Sequence, residues 1–175
     1  MALRLQSTPR VGGGSAFYVR QRIMSDAISG LIGVIVGAGI SFLAYSHHER
    51  RRHAFELYTE WSSTEMELYR QRAFRFLEIN KKKDHPISFR ELHDTGLNDD
   101  LLALEKVMHF WSKTSLLLQA GYVSQSLTRR LLSHYFKSWY NQVLCEFIEL
   151  CRTRDQEPNY RVWIEEVDYL TAKYV

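Results

Sequence analysis

Cysteine, proline and glycine are scarce where a folded domain of another class would have to use them. Only Cys145 and Cys151 occur in 175 residues. Two thiols exclude the disulfide framework of a small secreted domain and are expected to be reduced, in a reducing compartment. Proline occurs three times, and after Tyr45 the only glycines are Gly96 and Gly121. That removes the turn punctuation a β-rich chain needs and favours long helices. Basic excess is small as well: the net charge is +3, and the tail mixes both signs, so no nucleic-acid partner is expected.

Charge itself is missing between Asp26 and His47. The apolar run at 27–45, AISGLIGVIVGAGISFLAY, has 19 residues; at about 1.5 Å per residue it just crosses a hydrocarbon core of about 30 Å. A single transmembrane helix is therefore expected within residues 25–46. The chain beyond it is long enough for one helical domain. Aromatic residues make up 13% of the sequence, and Trp61, Trp111, Trp139 and Trp163 are spread through the tail, so that part should fold.

Residues 1–24 are expected to be a disordered or non-native extension. They carry Arg4, Arg10, Arg20 and Arg22, a glycine run at 12–14 and no acid. An organellar presequence and a translated upstream region share that composition. Met24 is the expected native start, because MSDAISGLIG runs straight into the span. From Met24 no Lys or Arg precedes the span, whereas Arg50, Arg51 and Arg52 come after it. By the positive-inside rule the C-terminal domain then lies in the cytoplasm, on an inner membrane. The same three arginines are the expected contact for anionic lipid. His47, His48 and His53 add positive charge only below about pH 6.5.

Within the run, VIVGAGIS at 34–41 imitates a dinucleotide-binding turn. Gly37 and Gly39 match the first two glycines of that fingerprint, but Phe42 stands at the third, where a ring blocks the packing of helix on strand. No alternation of strands and helices comes after it. A better account is the row Ser29, Gly33, Gly37 and Ser41, spaced by four along one helical face, which lets two helix backbones approach closely in lipid. Glycine is frequent in membrane helices generally; four small residues on one face favour a contact, to a second copy or to another span.

Beyond the span, residues 47–83 are expected to continue as one long helix, with Tyr58, Trp61, Leu68, Tyr69, Ala73, Phe76 and Leu77 on its apolar face. Lys81, Lys82 and Lys83 suit the end of its dipole. Residues 84–97 read as a polar loop. Residues 98–175 read as an antiparallel helical hairpin and a short last helix. Asn98 caps the first arm, whose seam is Leu101, Leu104, Met108, Trp111 and Leu118, and Gly121 ends it. The second arm carries Leu132, Phe136, Trp139, Val143, Phe147 and Leu150. The last helix, from Pro158, carries Val162, Val167, Leu170 and Tyr174.

Three segments, ELYTEW at 56–61, ELYRQRAF at 67–74 and FWSKTSLLLQAGYVSQSLTRRLLSHYFKSWY at 110–140, resemble a bacterial family of small single-span proteins of no assigned activity. The likeness covers most of residues 25–150. It implies an N-terminal span, a long helix and a cytosolic helical hairpin, and it carries over no catalytic residue.

Candidate chemistry is thin. His48, Glu49 and His53 approximate a zinc-protease motif, but the histidines are five apart, about 140° out of line on a helix, so a solvated surface is the better account. Cys145 and Cys151 are about 240° apart and read as core or half-buried thiols. Glu91, His93 and Asp94 form a loop triplet with no nucleophile beside it. A hidden hydrolase would need a polar pocket between helices.

The sequence thus leads to an all-α, single-pass membrane protein that is not an enzyme, with no catalytic residue, cofactor or metal. Its expected partners are membrane lipid and another transmembrane helix, with neither nucleic acid nor a small-molecule substrate. The expected role is an interaction or regulatory module, such as an accessory subunit that recruits or stabilises a partner. The alternative is a membrane-acting effector of the toxin or cell-suicide type, working by clustering of the small-residue face.

Overall fold

The computed structural model describes residues 14–96, 98–155 and 158–175, with side chains from residue 30 onward except at 98 and 158–160. Among the described residues every regular element is a helix, so the protein is all-α. The elements are α1 (Gly14–Trp61), α2 (Thr64–Lys81), α3 (Phe89–Thr95), α4 (Asn98–Gln119), α5 (Gln125–Trp139), α6 (Cys145–Arg154) and α7 (Pro158–Tyr174). A π-helical segment, Tyr140–Leu144, fuses α5 to α6. Two compact units divide the chain, Met1–Tyr45 and Ser46–Val175.

The first unit contains most of α1. Its helix begins at Gly14 rather than near residue 25, so the described part of the expected extension is helical. Helix formers such as Ala16, Arg20, Gln21 and Met24, with no glycine or proline between Ser15 and Asp26, account for this. Residues 1–13, with Arg4 and Arg10, lie outside the described residues.

The second unit is a bundle in which α2 and α7 each pack against α4 and against the α5–α6 rod. The two arms of the hairpin, joined by the turn at Gly121 (φ 71°), meet through rings such as Trp111 and Phe136, 5.1 Å apart. With neighbours on several sides, α4 buries more than one seam: Val107, Phe110 and Thr114 are as inaccessible as Leu104 and Trp111.

The expected long helix over 47–83 is interrupted. Ser62 and Ser63 end α1, and the Ser63 hydroxyl caps α2 by accepting from the Met66 amide at 3.2 Å. Glu65 and Glu67 in the first turn of α2 favour the new N-terminus electrostatically. This break rephases the apolar face, so that Met66 is buried and Leu68 is exposed.

The loop expected over 84–97 contains α3. Ser88 and Glu91 form a capping box, and Gly96, at φ 68°, closes the helix in the left-handed region. Further along, the Cys145 amide donates to the Tyr140 carbonyl, five residues back. One extra residue in that turn slips the seam by about 100°. Leu144, Ile148 and Cys151 therefore join Phe147 in the core, and Leu150 is left half-buried. In α7 the stripe starts at Ile164, with Val162 exposed.

Trp61, the last residue of α1, is fully buried among Phe110, Trp111, Tyr135 and Trp139, at ring distances from 4.5 to 6.2 Å. Arg70 lies over the indole at 4.6 Å. The α1 segment of this unit, from Ser46, is thus anchored at its end in the aromatic centre of the domain.

Candidate functional site

Every residue from 30 to 44 of α1 is exposed. Leu31, Val34, Ile35, Ile40, Phe42 and Leu43 each show more than half their surface. Contiguous apolar surface on this scale marks a contact with membrane or with another protein. Among the described residues, α1 is the one helix long and apolar enough to cross a membrane.

On this helix Gly33 and Gly37 lie one turn apart, and Ser41, also exposed, follows one turn on. A Cβ built on Gly33 or on Gly37 meets no atom within 4 Å. Space for a close neighbour is therefore open on that face, as it is at Gly30 and Gly39 elsewhere around the helix. The side chain of Ser29 lies outside the described residues.

The basic cluster divides. Arg52 is engaged by Glu49 at 2.7 Å and by Glu56 at 3.3 Å, one turn to either side. Arg50 and Arg51 are exposed and meet no carboxylate among the described residues. The Arg50 carbonyl accepts from the Ser124 amide at 3.0 Å, which ties the turn between α4 and α5 to this point on α1.

The motif-like residues elsewhere make local and packing contacts. His53 Nδ1 lies 2.8 Å from Glu56, an i, i+3 pair along α1. Glu91 accepts from the Ser88 amide at 2.7 Å and from Arg154 at 3.1 Å. Those two donors, the amide first, hold its carboxyl below the usual carboxylate range. His93 and Asp94 sit beside each other, exposed, 3.8 Å apart. Cys145 is a half-buried free thiol and Cys151 a buried one, whose acidity burial suppresses. Among the described residues no three His, Cys, Asp or Glu side chains are grouped as metal ligands.

A groove of about 610 Å³ runs between α4 and α7, lined chiefly by Phe89, Leu102, Met108, His109, Ser112 and Trp163. His109 and Ser112 share one face of α4, and the Ser112 Oγ has no hydrogen-bond partner among the described residues.

Comparison with family models, curated proteins and solved structures finds no match.

Two polar latches were missed in the sequence. Asn80, buried near the end of α2, accepts from the Ile87 amide at 2.9 Å and donates to its carbonyl at 2.8 Å. Asp155, also buried, accepts from the Ser88 hydroxyl at 2.7 Å and from the Arg90 amide at 3.3 Å. Both fasten the α2–α3 connection, Asn80 to the end of α2 and Asp155 to the end of α6, the second across 67 residues that no local pattern records.

Proposed function

We propose that this protein is a single-pass, membrane-anchored interaction module, non-enzymatic, whose helical domain lies on the cytoplasmic side of an inner membrane. Its likeness to a bacterial single-span family belongs to the same reading. The supporting observation is the open face at Gly33 and Gly37, on a helix whose residues 30–45 are all exposed. In a bilayer, helices associate by close packing rather than by the hydrophobic effect, and a row of Ser29, Gly33, Gly37 and Ser41 favours close approach of a second helix. The partner is a second copy of the chain or the span of another subunit.

Gly33→Leu and Gly37→Leu test this with little ambiguity. Both side chains enter open space in the single chain, so a change in association reports on the partner. Self-association and co-purification in a mild detergent or a membrane two-hybrid assay should fall at least tenfold in the double variant. Unchanged association would reject the contact face.

A further inference from the structure

We propose that the face of the helical domain around the Arg50–Ser124 contact docks on the anionic phospholipid headgroups of its own leaflet. The surface is built from Arg50 and Arg51 of α1, Arg129 and Arg130 of α5, and Tyr122 in the intervening turn. This rests on the reading that residues 27–45 cross a bilayer.

The first observation is a gap in the charge pattern. No Asp or Glu occurs between Glu105 and Glu146, whereas Lys106, Lys113, Arg129, Arg130 and Lys137 all fall there. The tail as a whole mixes signs; its middle does not. Lys113 is engaged by Glu60 at 2.7 Å. Arg129 and Arg130 are exposed and, like Arg50 and Arg51, meet no carboxylate among the described residues. Removing the paired Arg52 and adding these two gives four available arginines, within the range of about four to eight basic residues typical of surfaces that recognise anionic lipid.

The second observation is where these charges lie. Ser46, the first residue of the domain, is joined covalently to the end of the apolar run. Arg50 follows Tyr45 by five residues, about 7.5 Å of helix, comparable to the depth of a headgroup layer. The Ser124 amide, bonded to the Arg50 carbonyl at 3.0 Å, ties the α4–α5 turn to Arg50. Side chains on a helix lean toward its N-terminus. By that general rule Arg50 and Arg51 favour the N-terminal side of their turn of α1 and Arg129 and Arg130 the start of α5, where Arg129 is also within electrostatic reach of Tyr174. Arg129 is about 7.5 Å along α5 from Ser124, inside one Debye length of about 8 Å at physiological salt.

Tyr122 completes the surface. Gly121, at φ 71°, reverses the chain, Val123 is buried in the core, and Tyr122 between them is 64% exposed. A tyrosine with an apolar ring and a polar tip is the side chain favoured at the bilayer interface. Because the surface is tethered to the membrane that supplies the ligand, lipid is its occupant rather than a soluble acidic protein.

Hydrogen exchange of residues 120–131 in the full chain tests this, in nanodiscs of phosphatidylcholine alone and of phosphatidylcholine mixed with phosphatidylglycerol. Exchange should be several-fold slower in the anionic discs. Each arginine is expected to contribute about fivefold to docking, so Arg129→Gln with Arg130→Gln should cut docking about 25-fold and erase the difference. Arg52→Gln, whose charge Glu49 and Glu56 already hold, should preserve it. Equal exchange in both discs overturns the proposal, including the case where an acidic protein is the true occupant. A chain that fails to enter discs of either kind contradicts instead the membrane reading beneath it.

Discussion

Trp61, at the end of α1, lies 4.5 Å ring to ring from Trp111 in the middle of α4. The α1 segment of the domain, from Ser46, therefore ends inside its aromatic core. Both indoles are fully buried, so truncating Trp61 leaves a cavity that the surrounding rings fill only in part. Trp61→Ala should destabilise the domain by about 3–5 kcal/mol, a large share of a typical folding free energy of about 5–15 kcal/mol. Chemical denaturation of the full chain in detergent, followed by circular dichroism, measures this. A loss below about 1 kcal/mol, the scale of an ordinary surface change, would contradict the central place given to Trp61.

Glu91 makes stability depend on acid. Its carboxylate is favoured in the folded state by the Ser88 amide first and by Arg154 after it. A group whose folded pKa lies below its unfolded value contributes stability that is fully present above the unfolded value, about 4.3, and is lost as pH falls through the folded one. Glu91→Gln should therefore be less stable than the parent at pH 7, and the two should converge toward pH 3. Denaturation curves across that interval decide it. A difference that stays constant with pH would show that ionisation of Glu91 contributes nothing.

Much of the architecture was legible because it rests on spacing. The charge-free run, the cap at Gly121, and the seam of Leu104, Met108 and Trp111 follow from periodicity and turn chemistry alone. Two departures were local signals passed over: Ser63 ahead of Glu65 and Glu67, and Ser88 with Glu91, are helix starts written in the sequence. The first carries no glycine or proline to announce a break, and the second follows Pro86 in a stretch that reads as loop. The π turn at Tyr140–Leu144 leaves no comparable mark, so the slip that buries Cys151 and frees Leu150 could not be foreseen.

At the candidate surfaces the sequence named Gly33, Gly37 and three consecutive arginines. It could not show that Glu49 and Glu56 engage one of them. Nor could it show that the turn at Ser124, seventy-odd residues on, lies beside Arg50. Asp155 was overlooked for the same reason: its partner Ser88 is 67 residues away. Contacts of that kind are set by how the helices pack.

The central claim is a single crossing with the helical domain in the cytoplasm, and protease protection of a C-terminal epitope in intact spheroplasts tests it most directly. The account predicts that externally added protease leaves the epitope intact until the cells are lysed, while the chain stays in the membrane pellet after carbonate extraction. Digestion in intact spheroplasts, or release into the soluble fraction by carbonate, would contradict it.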